Sequence, residues 1–139
     1  MKVRDLMTSN VVRIHPEEPV EVAARTLTQY NIGALPVCSR DGRVCGMVTD
    51  RDLVIRCMAA GRDPTRMTVA DVMTKGVVVT SPNAEAGTAA YMMGREQVRR
   101  LPVVENGKLC GMVSLGDLAL NGENTGGILT EIAENVRQK

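Results

Sequence analysis

A mixed α/β (α+β) fold of two βαββα units, packed sheet to sheet about a pseudo-twofold axis, is what this 139-residue sequence predicts, and three observations carry the prediction. The first is an internal echo: Gly46-Met47-Val48-Thr49-Asp50-Arg51-Asp52-Leu53 returns as Gly111-Met112-Val113-Ser114-Leu115-Gly116-Asp117-Leu118. The second is constant spacing. Asp5-Leu6-Met7-Thr8 matches Asp71-Val72-Met73-Thr74 at an offset of 71 − 5 = 66, as do Val12 with Val78, Pro16 with Pro82, and Leu35-Pro36-Val37 with Leu101-Pro102-Val103. After the next turn the offset is 110 − 45 = 65, so the second copy lacks one residue in the stretch matching Val37 to Gly42, where a surface turn tolerates the loss. The third is size: a half of about 60 residues is marginal alone, so the halves are expected to share a core. The repeats run over residues 1–61 and 68–121, joined by a link at 62–67 and followed by a linker and C-terminal helix at 122–139.

Each copy opens on a short β-branched strand, Asn10-Val11-Val12-Arg13-Ile14 in the first. After Pro16, Val20, Ala23, Ala24 and Leu27 recur at helical spacing, and Ala86, Ala89, Ala90 and Met93 repeat them. Ala34 to Cys38 and Arg43 to Val48 flank an Asp41-Gly42 turn, a hairpin that the second copy closes with Asn106-Gly107. Thr49 or Asp50 then caps a helix carrying Leu53, Ile55 and Met58, which Gly61 ends. Thr68-Val69-Ala70-Asp71 has the form of a capping box opening the second copy. In the tail, the breaker-rich stretch from Asn121 to Gly127 precedes Ile128, Leu129, Ile132 and Val136 on one face of a short helix. So short a helix does not hold in water unaided, and docking in a dimer is one expectation for it.

A strand, a crossover helix and a parallel strand make a right-handed unit, so each half is expected to be a three-stranded sheet with helices on one face. Two such sheets covering one another leave two related clefts at their rim, and ligand sites should come as a pair. Composition excludes several alternatives. Seventeen basic against sixteen acidic residues give a net charge of +1, too small a field to imply nucleic acid or an anionic membrane. No apolar run approaches the length of a membrane span and the start has no signal-peptide core, so a soluble cytoplasmic protein is expected. Cys38, Cys45, Cys57 and Cys110 contain no CxxC pair, and one histidine, His15, does not complete a zinc set, so no metal is expected.

Paired βαββα units with Leu-Pro-Val on the second strand and Gly-Met-Val-Thr/Ser-x-x-Asp leading into the last helix resemble tandem cystathionine-β-synthase (CBS) domains, the Bateman module. The resemblance covers residues 1 to about 120 and implies binding and regulation, not catalysis. Members commonly form flat dimers whose clefts hold adenosine compounds such as AMP, ATP, NAD or S-adenosylmethionine. It implies a stand-alone regulatory pair that binds AMP, ADP, ATP or NAD between its repeats and signals to a separate, unidentified protein through dimer conformation.

The residues are consistent with such a ligand. A carboxylate three positions beyond a hydroxyl shares the first turn of a helix with it, beside unpaired backbone N–H groups. Asp52 and Asp117 are therefore candidate ribose acceptors, and Thr49 and Ser114 candidate ribose or phosphate contacts; the competing role for all four is capping their helices. With two Tyr, no Phe and no Trp, adenine needs an aliphatic slot, and the resemblance nominates Val11, Val12 and Pro36 in one cleft and Val77, Val78 and Pro102 in the other. Before Leu-Pro-Val the copies diverge: Val98-Arg99-Arg100 stands where the first has Ile32-Gly33-Ala34. Arg99 and Arg100 suit a phosphate, and Arg51 is the nearest cation for the first cleft, so unequal affinities are expected.

Cys45 and Cys110 occupy matched third-strand positions and read as small hydrophobes. Three functional classes follow: a nucleotide sensor, an interaction module with vestigial clefts, and an enzyme. The last lacks a Ser-His-Asp set, a metal cluster or a Walker lysine, so no catalytic residue is nominated.

Overall fold

Proline at the centre of a strand sets the layout. The computed structural model describes residues 1–121, which fall into two compact units: Val12–Val77, and Met1–Val11 together with residues 78–121. The expected tail helix lies outside the described residues.

In the unit Val12–Val77, helix α1 (Val20–Tyr30) buries Val20, Ala23 and Leu27. Ala24, expected on that face, is exposed. Asn31 ends the helix in a left-handed conformation (φ 53°), and its N–H returns to the carbonyls of Leu27 and Thr28. Strands β1 (Ala34–Cys38) and β2 (Val44–Thr49) pair antiparallel. The expected first strand is reduced to one parallel bridge: Ile14 N–H donates to the Pro36 carbonyl (3.1 Å), and Cys38 N–H donates to that of Ile14 (2.9 Å). The next ladder bond upstream would run from the nitrogen of Pro36 to the Val12 carbonyl, and proline has no hydrogen to give.

Helix α2 (Asp50–Leu53) runs on as a π-helical turn, Val54–Met58, whose wide Ala59 N–H to Val54 carbonyl bond measures 2.7 Å. That turn breaks the simple helical period. Cys57 is buried, while Ile55 and Met58, expected inside, are 48% and 74% exposed. Helix α3 (Val69–Val72) follows the link, and Arg56 donates to the Val72 and Met73 carbonyls at its end (2.9 and 3.1 Å). Asp71 accepts from both the N–H and the hydroxyl of Thr68 (2.9 and 3.0 Å), and those two bonds, backbone first, hold its carboxyl below the usual carboxylate range. A depressed folded pKa stabilises above the unfolded value and is lost as pH falls through the folded one. The melting difference between wild type and Asp71→Ala should therefore be full at pH 7 and shrink as acid protonates the carboxylate, below the ordinary carboxylate range; a gap unchanged by acid would contradict this role for the carboxylate.

The unit of residues 1–11 and 78–121 repeats the plan. Helix α4 (Ala86–Glu96) buries Ala86, Ala89, Ala90 and Met93; strands β3 (Arg100–Glu105) and β4 (Lys108–Ser114) form a hairpin; helix α5 (Leu115–Leu120) follows. Asn106 and Gly107 both have positive φ (53° and 80°), as a two-residue I′ turn requires. Thr80 makes the single parallel bridge here, to Val103, and Pro102 stops it as Pro36 does.

Each sheet is completed by the leader of the other copy. Met47 exchanges hydrogen bonds with Thr74 (3.0 and 2.8 Å), and Met112 exchanges them with Thr8 (3.0 and 2.8 Å). This turns the polar groups of Met47 and Met112 away from Pro36 and Pro102, which face them in register, so neither proline opposes an unmet ladder bond. The approach requires glycine at the neighbouring position: a Cβ at Gly46 would stand 2.4 Å from the Thr74 carbonyl oxygen, and one at Gly111 2.9 Å from that of Thr8. Leu35, Val37, Val48, Val69 and Val72 belong to one core, and Val3, Leu101, Val103, Val113 and Leu118 to the other.

Candidate functional site

The β-hairpin register places the candidate residues of each unit together. Ala34 faces Thr49 across β1 and β2, and Arg100 faces Ser114 across β3 and β4. One residue earlier, the Gly33 carbonyl accepts from Asp50 N–H (3.1 Å), and the Arg99 carbonyl accepts from Leu115 N–H (2.7 Å). The strand start and the helix start are thus tied at two successive positions, and the same tie recurs in both units.

Thr49 and Ser114 are the N-caps of α2 and α5, in full capping boxes. Asp52 N–H donates to Thr49 Oγ1 (3.1 Å), while Thr49 N–H donates to Asp52 Oδ2 (2.9 Å). Asp117 N–H donates to Ser114 Oγ (3.1 Å), while Ser114 N–H donates to Asp117 Oδ2 (2.8 Å). Asp52 and Asp117 are half-buried, and among the described residues the Oδ1 of each has no partner. The box fixes each carboxylate and leaves one oxygen to accept.

The sequence suggested free N–H groups at both helix starts. In α2 the N–H groups of Asp50, Arg51 and Asp52 are all taken, that of Arg51 by the Asp50 carboxylate (2.8 Å). In α5 the N–H groups of Leu115 and Asp117 are taken, and that of Gly116 has no partner among the described residues. A Cβ at Gly116 would meet only Ser114 Oγ, at 3.6 Å, so open space lies beside it. From sequence Asp50 was named only as a possible helix cap, a place that Thr49 takes; its mismatch with Leu115, like that of Arg51 with Gly116, marked it for a further role.

Arg51, Arg99 and Arg100 are exposed, and none of the three forms an ion pair among the described residues. Val12 and Val78 are half-buried and pack on the core of their own units, and their carbonyls, which the prolines leave without a ladder bond, have no partner among the described residues. Pro36 and Pro102 are buried. Val11 and Val77 are half-buried and each falls in the unit opposite to that of its sequence neighbour, Val12 or Val78.

The cysteines are free. Burial pushes the Cys38 thiol up against the opposing pull of Arg13, and burial aided by Glu105 raises Cys110, whose Sγ lies 3.4 Å from the Val103 carbonyl. Both shifts favour the neutral thiol. Cys45 and Cys110 are half-buried, less enclosed than core filler would be. No group of three or more His, Cys, Asp or Glu able to hold a metal ion occurs among the described residues, and none of the described helices is long and apolar enough to cross a membrane.

The family model described as CBS domain matches residues 3–58 and 69–121. The CBS domain-containing protein YhcV of Bacillus subtilis is 40% identical over 134 residues, covering 94% of each chain. The crystal structure of Hypoxic Response Protein I with two coordinated zinc ions superposes with a TM-score of 0.80 at 36% identity, covering 86% of this chain and 98% of that one. The CBS domain pair of protein MJ0100, in complex with 5′-methylthioadenosine and S-adenosyl-L-methionine, has a TM-score of 0.77 over 87% of this chain and 94% of that one, at 22% identity, a likeness of fold alone.

Proposed function

This chain belongs to the CBS-domain family, as two copies in tandem, and on that premise we propose that it is a regulatory module that binds adenosine-containing ligands without turning them over. The ligand is an adenine nucleotide, AMP, ADP, ATP or NAD, and the module acts as a homodimer in the cytoplasm whose conformation is read by a separate protein. One observation carries the reading: in the unit of residues 78–121 the register sets Arg100 against Ser114, whose capping box holds Asp117 with one oxygen spare. Asp117 is suited to accept from a ribose diol, Arg100 with Arg99 to meet phosphate, and the half-buried Val78 beside its unpaired carbonyl to take the adenine edge. In the unit Val12–Val77, Thr49, Asp52 and Val12 stand at the matched places, while Arg51 takes the place of Gly116 and Ala34 that of Arg100. Apolar Val54, Ile55 and Met58, 48–74% exposed, favour cover by a second copy of the chain.

The test is a thermal-shift panel of AMP, ADP, ATP, NAD, S-adenosylmethionine and adenosine on wild type and Asp117→Ala, with molar mass read by light scattering. Ligand that binds the native state raises the melting temperature by mass action. A shift with at least one nucleotide, reduced in Asp117→Ala, on a particle of dimer mass is expected. No shift at millimolar ligand would replace this reading with that of an interaction module whose clefts are vestigial.

A further inference from the structure

We propose that the two units take different classes of adenosine ligand: residues 78–121 the phosphorylated compounds, and Val12–Val77 the unphosphorylated ones, with Asp50 as the residue that turns phosphate away. The inference rests on the nucleotide reading above and assigns the ligand class of each site within it.

The argument compares positions that the backbone makes equivalent. Gly33 and Asp50 are joined by the same carbonyl-to-N–H bond as Arg99 and Leu115, and Ala34 faces Thr49 as Arg100 faces Ser114. At positions 33, 34, 50 and 51 the side chains sum to 0 + 0 − 1 + 1 = 0, whereas at 99, 100, 115 and 116 they sum to +1 + 1 + 0 + 0 = +2. Charge is only part of the difference. The Asp50 carboxylate accepts from Arg51 N–H at 2.8 Å, so an anion belonging to the chain already holds that donor. It also lies beside the strand start, 3.6 Å from where a Gly33 Cβ would stand. The matched donor, Gly116 N–H, is free among the described residues, with two exposed guanidiniums on the strand start next to it.

A phosphate approaching the unit Val12–Val77 therefore meets a carboxylate where its counterpart meets an open N–H and Arg100. Repulsion and the loss of both donors act in the same direction. The ribose acceptor does not differ, because Asp52 and Asp117 sit in the same capping box. A neutral adenosine, or one carrying a cationic substituent, keeps every contact Asp52 offers and avoids the conflict with Asp50.

Calorimetric titration of AMP and adenosine into wild type, Asp52→Ala and Asp117→Ala separates the sites. Wild type and Asp52→Ala are expected to bind AMP at one site per chain. Asp117→Ala, in which the site of residues 78–121 is weakened and that of Val12–Val77 is untouched, should bind adenosine at least about tenfold more tightly than AMP at the untouched site, the ratio one charge-assisted hydrogen bond supports. Adding Ala34→Arg and Asp50→Ala to Asp117→Ala should reverse that preference, and Asp50→Asn, which removes the charge and keeps an acceptor for Arg51 N–H, should narrow it if the double change impairs folding. Two equal AMP sites on wild type, or a preference untouched by either change, would overturn the proposal while leaving nucleotide binding intact. Binding of neither ligand to wild type would overturn the nucleotide reading and this inference with it.

Discussion

Gly46→Val is expected to lower the melting temperature by about 10 °C, corresponding to roughly 3 kcal/mol of lost stability. The reason is the backbone of Thr74, whose carbonyl oxygen stands 2.4 Å from the place of a Gly46 Cβ, with Met73 Sδ at 3.1 Å. A flexible side chain gives way at little cost, but a carbonyl engaged with Met47 N–H does not. Relief requires moving residues 73 and 74 outward, which breaks both Met47–Thr74 bonds, each worth about 0.5–1.5 kcal/mol, and loosens Val72 in the core. Gly111→Ala should cost less than Gly46→Ala, because the Thr8 carbonyl oxygen stands 2.9 Å from its Cβ rather than 2.4 Å, and the nearer atom, Met7 Sδ at 2.7 Å, is on a side chain with rotamers to spare. Differential scanning calorimetry without ligand decides the matter, and a Gly46→Val protein melting within about 2 °C of wild type would show that this edge yields freely.

Asp117→Ala is expected to weaken AMP binding by about tenfold to more than a hundredfold, since it removes a charged acceptor worth roughly 1.5–3 kcal/mol. It also removes half of a capping box, so the unliganded protein should lose about 0.5–2 kcal/mol of stability. The two losses have to be told apart. Asp117→Asn does so, because a carboxamide oxygen can still accept from Ser114 N–H, while the amide NH2 it brings toward the ligand is a donor where a diol needs an acceptor. Asp117→Asn should melt near wild type alone and bind AMP at least tenfold more weakly. Unchanged AMP affinity in Asp117→Asn, measured by calorimetry, would confine Asp117 to its helix cap.

The hairpins and the helices carrying Val20, Ala23 and Leu27 or Ala86 to Met93 were legible because turn chemistry and apolar spacing are local signals. The first strands were over-read: Val11, Val12 and Ile14 have strand composition, but a ladder also needs a partner with donors, and Pro36 withholds one. Ile55 and Met58 were misplaced because a π-helical turn leaves no mark in a 3.6-residue period. Of the candidate sites, the hydroxyl and carboxylate pairs were readable from their spacing. What stayed hidden was their mutual occupation, together with the carboxylate of Asp50 on a backbone donor, which depends on side-chain direction that spacing does not fix.

The partnership of Thr8 with Met112 and of Thr74 with Met47 puts heredity and architecture out of phase. What was duplicated is one stretch of chain; what folds is that stretch without its leader, plus the leader of its twin. A lesion in the first eight residues is therefore a lesion of the hairpin a hundred positions away, and a gene cut at the link would yield two polypeptides, each lacking the bridging residue at the edge of its own hairpin and carrying the one its sibling needs.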